Sequence, residues 1–261
     1  MLRTAAAVEG NALLSSVPER DLSALGDSLR LVNLTQDESV YVQGDRVKHL
    51  YFPVDSVCST VSVMSDGATV EVSMTGREGA TGVFSVFGDY ESRNWTRVLV
   101  GGVSVRVGVD ALRELCSRSE PAQKVMMGAY RNLISQVSQR AICNCRHTLL
   151  QRLSTWLLMV RDRAGSDDLT LTQEIIASRL GARRAGVTQA ARMLLTMGVM
   201  RYGRGKIHLN DRALLEQMAC ECYHVHEENF RDARNAEGTA AKSSATRAAV
   251  FGAPLHAPPR R

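Results

Sequence analysis

Along the first ~115 positions apolar residues recur at every second place, a period that predicts a β-rich half. Val57, Val61 and Val63 alternate with Cys58, Thr60 and Ser62, and Val70, Val72 and Met74 alternate with Thr69, Glu71 and Ser73. Asp66-Gly67 between these runs is a hairpin signal. Val98 and Val100, then Val103, Val105, Val107 and Val109, continue the period. Several short strands separated by glycine turns predict a compact antiparallel roll or barrel. Ahead of it, Leu13-Leu14 through Leu31 predicts a helix, with Pro18 near a first turn and Leu22, Leu25 and Leu29 on one side.

From about Pro121 to Arg163 the period changes to that of a helix. Met126, Ala129, Leu133, Val137 and Ala141 form one stripe. A break near 143–146 separates it from Leu149, Leu153, Trp156, Leu157 and Val160. The first stripe fits either core against the roll or a seam between two subunits. A long helix between two halves favours the seam, so Met126, Ala129, Leu133 and Val137 are the expected dimerisation residues.

The most specific pattern lies between Leu169 and Leu209. Thr172 can cap a short helix whose first turn carries Glu174, with Ile176, Ala177 and Leu180 on its inner face and Gly181 at its end. A second helix from about Arg184 buries Val187, Ala191 and Leu194 and stops at Gly198. Its other face carries Arg184, Thr188, Gln189 and Arg192, with Arg183 just before it and no acid from Arg183 to Thr196. A hairpin follows, in which Gly203 and Gly205 permit the turn and Arg204 and Lys206 occupy the tip. A helix pair in any globular core can show such spacing. The acid-free basic face and the adjoining hairpin distinguish a winged helix-turn-helix, whose second helix enters the major groove while the wing touches phosphates.

The chain has 261 residues, 44% of them hydrophobic, enough for two domains with separate cores. Mean hydropathy is −0.13 and no apolar run is of membrane-spanning length, so a cytoplasmic protein is expected. The net charge of +5 suits a polyanionic partner only weakly, and the placement of the arginines says more. No Gly-x-Ser-x-Gly or phosphate-cradling Gly-x-x-x-x-Gly-Lys occurs, so no catalytic residue is assigned and an enzyme is not expected. The six cysteines are expected as reduced thiols. Cys143-Asn-Cys145 precedes His147, and Cys220, Cys222, His224 and His226 alternate. Neither spacing is that of a usual zinc loop, so no metal and no cofactor are assigned.

The order of roll, long helix and winged helix resembles the CRP/FNR family of bacterial transcription regulators. The resemblance is carried by Leu171-Thr-Gln-Glu-Ile-Ile-Ala-Ser-Arg-Leu-Gly and the Arg184–Gly205 stretch, and more softly by Val40-Tyr-Val-Gln-Gly-Asp and Leu50-Tyr-Phe-Pro. It implies an α+β chain with an N-terminal antiparallel β-roll sensor (1–118), a dimerisation helix (119–142) and a C-terminal winged helix-turn-helix (143–222), while the small, polar, mildly basic composition after Tyr223 predicts a disordered tail (223–261). It also implies a homodimer on a near-palindromic double-stranded DNA operator, with RNA polymerase as a further partner and no membrane. DNA is then read by Arg183, Arg184, Thr188, Gln189, Arg192, Arg204 and Lys206. The alternative is a small-molecule or metal sensor whose helical half grips a protein partner.

The departures from the family are informative. Its recognition helix often reads Arg-Glu-Thr-Val-x-Arg, where this chain has Arg184-Ala-Gly-Val-Thr-Gln189. Arg184 retains a fork for guanine, Ala185 offers only apolar contact, and Gln189 favours adenine. Gly186 either lets the backbone approach DNA or is neutral. In the roll, Gly82-Val83 stands where cyclic-nucleotide-binding relatives carry Gly-Glu, and Arg93-Asn94-Trp95 where they carry Arg-Ser/Thr-Ala. Val83 cannot accept from ribose hydroxyls and Trp95 is bulky, so tight cAMP binding is not expected. The residues that could line an effector pocket are Glu78, Arg93 and Arg97. The N-terminal cysteine cluster of oxygen-sensing relatives is absent from the sequence.

Overall fold

The runs of period two pair as antiparallel strands in a computed structural model of the chain, which describes residues 2–88 and 91–235. Short helices α1 (Leu2–Glu9), α2 (Ala12–Ser15) and α3 (Glu19–Leu25) come first. The roll consists of β1 (Arg30–Leu34), β2 (Ser39–Tyr41), β3 (His49–Pro53), β4 (Val57–Val63), β5 (Thr69–Thr75), β6 (Trp95–Val100) and β7 (Gly102–Gly108). Its sheets are ordered β1-β7-β3 and β2-β6-β4-β5. Leu50, Phe52, Val105 and Val107 point inward from the first, and Cys58 and Val98 of the second meet Leu34. Burial pushes the Cys58 thiol up to about 12, which keeps it protonated and inert.

The rest of the chain is α4 (Val109–Arg118), α5 (Glu120–Arg146), α6 (Leu149–Ala164), β8 (Asp168–Thr170), α7 (Gln173–Leu180), α8 (Arg184–Thr196), β9 (Met200–Gly203), β10 (Lys206–Leu209), α9 (Arg212–Met218) and α10 (Cys222–Asn235). The fold is therefore α+β, with antiparallel roll, long helix and winged helix-turn-helix in the expected order. α6 is the hub of the C-terminal core. Leu153, Trp156, Leu157, Leu158, Met159 and Val160 are all buried on it, so no side of its central turns faces water. That core also takes in Val57, Met74 and Leu99 from the roll, so the winged helix is docked on the sheet of its own chain.

Four details correct the sequence reading. The helix expected over Leu13–Leu31 is broken into α2, α3 and a 3-10 turn at Gly26–Ser28, and Leu31 lies in β1. Pro18, which lacks an N–H, sits at the N-cap of α3, and Gly26 ends that helix with φ +41°. The break expected near 143–146 falls later: α5 runs through Arg146, and Thr148 starts α6 with a capping box to Gln151. Chain beyond 222 is not all tail, because α10 extends to Asn235 and packs on α5 and α6; residues 236–261 lie outside the described residues.

The fourth correction concerns the long helix. Met126 is only 1% exposed, and Ala129 and Leu133 pack beside it against the roll's core. The expected seam residues are thus mostly consumed within one chain, and of that set only Val137 is exposed. The outward apolar positions of α5 lie about one residue further round: Met127, Ile134, Val137 and Ile142.

Roll, long helix and winged helix meet at one buried carboxylate. Glu71 on β5 is fully enclosed and pairs with the Arg140 guanidinium of α5. The indole Nε1–H of Trp156 on α6 donates to it at 2.9 Å, and the Ser59 hydroxyl at 2.5 Å. β5 therefore buries polar residues, Glu71 and Ser73, beside the apolar Met74. A second link joins Glu78 to Arg163 of α6 at 2.8 Å, and Gln136 of α5 clamps the Met74 backbone on both sides, donating to its O at 3.0 Å.

Near this joint lies His226 of α10, buried and pushed down to about 3 by desolvation and by the charges of Arg163 and Arg140. An unfolded histidine takes up a proton near 6.5, whereas the folded one resists until about 3. The native state thus binds fewer protons across that window, and the stability present above 6.5 is lost as pH falls. The expected contribution is on the order of 1 kcal/mol per pH unit. Urea midpoints measured from pH 7 downward should fall less steeply for His226→Gln than for the parent.

Candidate nucleic-acid interface

The helix-turn-helix follows from local chemistry. The Thr172 side chain accepts from the Ile175 N–H at 3.2 Å and starts α7. Gly181 then turns the chain at φ +56°, and the Ala182 N–H closes back on the Ala177 carbonyl at 3.0 Å. A Cβ at Gly181 would also stand 3.0 Å from Val70 of β5, so this glycine serves both the turn and the docking on the roll. Val187, Ala190, Ala191 and Leu194 bury one side of α8, and Gly198 at φ +74° reverses the chain after it.

What α8 leaves in solvent is a basic, acid-free face. Arg183, Arg184, Gln189 and Arg192 are exposed. Arg183 occupies the N-cap without using its side chain as a cap, so its guanidinium is free to reach outward. Thr188 is half-buried: its hydroxyl donates to Gln173 Oε1 at 2.7 Å and lies 3.0 Å from the Arg184 carbonyl, tying the two helices together. The centre of the exposed face is the helical series Ala185, Gln189, Arg192 and Thr196, with Arg184 and Thr188 at its edge. Thr196 was legible from that spacing but carries no charge to draw notice. Gly186 points elsewhere. A Cβ there would stand 3.0 Å from Leu149 of α6, so the glycine serves close helix packing.

The wing is a sheet ordered β8-β10-β9, of which β8 was not visible as a strand in the sequence. Arg204 and Gly205 both have positive φ, +52° and +75°, the signature of a two-residue type I′ turn. Gly203 needs no such freedom, contrary to the sequence reading. An arginine in the left-handed region is uncommon, and here it is an exposed residue of the hairpin turn. Lys206, exposed and paired with Gly203, stands beside it, and Arg201 on β9 adds an exposed cation that sequence reasoning passed over. An exposed acid of α7, Glu174, lies 4.0 Å from Arg184.

The residues expected to line an effector pocket are not gathered. Glu78 is engaged with Arg163 of α6. The Arg97 guanidinium lies 5.2 Å from the centroid of the Trp95 ring, and Arg93 is exposed on the segment leading to β6. Val83 is buried in the roll's core, as an apolar residue there would be. The cysteine motifs, by contrast, do meet. Cys143 and His147 from the end of α5 and Cys220 and Cys222 from the start of α10 place one ligand atom each within 4.8 Å of one another.

The sequence of residues 151–218 matches the Crp-like helix-turn-helix domain family. No curated protein matches the chain by sequence. Among solved structures the chain is similar to FixK2 from Bradyrhizobium japonicum, at 17% identity and TM-score 0.63 over 74% of this chain and 98% of that one. A putative transcriptional regulator of the CRP/FNR family from Eubacterium rectale is 16% identical, with TM-score 0.63 over 79% and 96% of the two chains. A CRP-family transcriptional regulator from Thermus thermophilus is 18% identical, with TM-score 0.62 over 72% and 96%.

Proposed function

Residues 151–218 are a Crp-like helix-turn-helix domain on a chain with the CRP/FNR fold, and from that premise we propose that the protein is a homodimeric transcription regulator that reads a near-palindromic operator. The observation that carries the reading is the acid-free outer face of α8 beside a wing tipped by Arg204 and Lys206. α8 enters the major groove, where Arg184 forks onto guanine and Gln189 onto adenine. Arg183, Arg192, Arg204 and Lys206 hold phosphates.

Two copies meet along α5, using the outward Met127, Ile134, Val137 and Ile142 and not the buried Met126. A two-fold seam along that helix sets the two recognition helices about one DNA turn apart. Control by the roll runs through Glu71, Arg140 and Trp156, the contacts by which a change in β5 or α5 reaches α6 and so α8. The roll does not take cAMP tightly; saturable calorimetric binding of cAMP would contradict this.

Counterion release tests the reading directly. Affinity for duplex DNA is expected to fall steeply with salt, and Arg204→Ala with Lys206→Ala should reduce the slope of log K against log[salt] by about one per phosphate contact removed. The loss should be uniform across sequences, because wing contacts position the protein and read no bases. Affinity that ignores salt would contradict DNA binding.

A further inference from the structure

We propose that Cys143, His147, Cys220 and Cys222 form a binding site for a single zinc ion that fastens the end of the long helix to the start of α10. The four ligand atoms lie within 4.8 Å of one another. Around one zinc, bonds of about 2.3 Å to sulfur and about 2.0 Å to nitrogen at tetrahedral angles place sulfurs about 3.8 Å apart and sulfur about 3.5 Å from nitrogen. Here Cys143 Sγ and Cys220 Sγ are 3.6 Å apart, and Cys222 Sγ is 3.5 Å from His147 Nδ1. Two of the six separations thus already have the lengths of that tetrahedron's edges, and the other four are within 4.8 Å. A multi-iron cluster needs its cysteines spread around a larger body, which this spacing does not allow.

The surroundings are those of a closed structural site. Cys143, Cys220 and Cys222 are buried, and the His147 side chain is 10% exposed. The other ring nitrogen of His147, Nε2, faces the Glu221 carboxylate at 3.1 Å, the outer-shell partner that fixes a ligating imidazole in one tautomer. Gln139 Nε2 donates to Cys222 Sγ at 3.0 Å, and the Thr155 hydroxyl lies 3.1 Å from Cys220 Sγ while accepting the Cys220 N–H. Thiolates would be held there by ready donors. On binding, each thiol releases its proton to solvent, and the site with three thiolates carries one net negative charge, within electrostatic range of the Arg152 guanidinium.

The ligand set explains why neither motif announced it. Cys143 lies in the last turn of α5 and His147 is its C-cap, with its N–H bonded back to the Cys143 carbonyl at 3.1 Å, while Cys220 and Cys222 bracket the turn into α10. Each motif supplies half a site, and Cys145 is exposed and takes no part. Because α5 belongs to the long helix and α10 packs on both α5 and α6, the ion would brace the joint at which the DNA-reading domain turns on the rest of the chain.

The full-length chain, purified under reducing conditions, should carry about one zinc per chain by elemental analysis. Cys143→Ser with Cys222→Ser should abolish it, and Cys145→Ser should leave it unchanged. Should the double variant fail to fold, the parent decides: chelator-stripped protein titrated with cobalt(II) should give the visible bands of a tetrahedral thiolate complex, saturating near one equivalent and bleached by zinc. A parent chain without metal and without that cobalt spectrum would overturn the proposal, as would iron accompanied by inorganic sulfide, or equal metal loss in Cys145→Ser. None of these readouts depends on DNA.

Discussion

Glu71→Ala is expected to lower the stability of the native chain by about 3–5 kcal/mol and its Tm by on the order of 10 °C. The carboxylate is wholly buried, and its removal strands the Arg140 guanidinium away from water while orphaning the Trp156 indole N–H. An unpaired buried charge costs far more than the pair contributes over a well-packed apolar alternative. Arg140→Met in the Glu71→Ala background should therefore recover part of the loss, and a double-mutant cycle reads the coupling. The two tryptophans lie one in each half, Trp95 in β6 and Trp156 in α6. Denaturation followed at each should coincide in the parent and separate in Glu71→Ala, where roll and winged helix no longer unfold as one unit. A cost below about 1 kcal/mol would place the joint elsewhere.

Arg184→Ala with Gln189→Ala is expected to reduce preference for the operator over scrambled DNA on the order of a thousandfold or more. Each good bidentate pair discriminates by about 1–3 kcal/mol, and a two-fold complex loses every contact twice, about 4 kcal/mol at the lower bound. Stability should hold within about 0.5 kcal/mol, because both side chains are exposed and belong to no core. Binding to scrambled DNA should persist, since Arg192, Arg204 and Lys206 still meet phosphates. Anisotropy titrations against both sequences measure the ratio. Equal losses on both would mean that these residues position the protein and do not read bases.

The winged helix was legible because its rules are local. Thr172, Gly181 and Gly198 punctuate helices whose buried stripes are encoded within a few residues, and a hairpin of arginine and glycine leaves little alternative. The roll's strands were legible for the same reason. What escaped depends on contacts distant in sequence. A stripe through Met126 looks the same whether it meets a second subunit or the chain's own roll, and only the packed structure decides. Glu71 reads as a solvated strand residue until Arg140, 69 positions away, is seen to close over it. Cys143 and Cys220 are 77 positions apart and meet only through the packing of α10 on α5. Pro18 and Gly26 were local signals, yet an unbroken leucine pattern outweighed them in the reading of Leu13–Leu31.

The most direct test of the account is a binding selection of genome fragments on the purified full-length chain at physiological salt, with Arg184→Ala, Gln189→Ala alongside. An inverted repeat with half-sites about one helical turn apart, about 10–10.5 base pairs centre to centre, should be enriched by the parent and absent from the variant's pool. Enrichment of no sequence at all, or of the same sequences by both proteins, would contradict it.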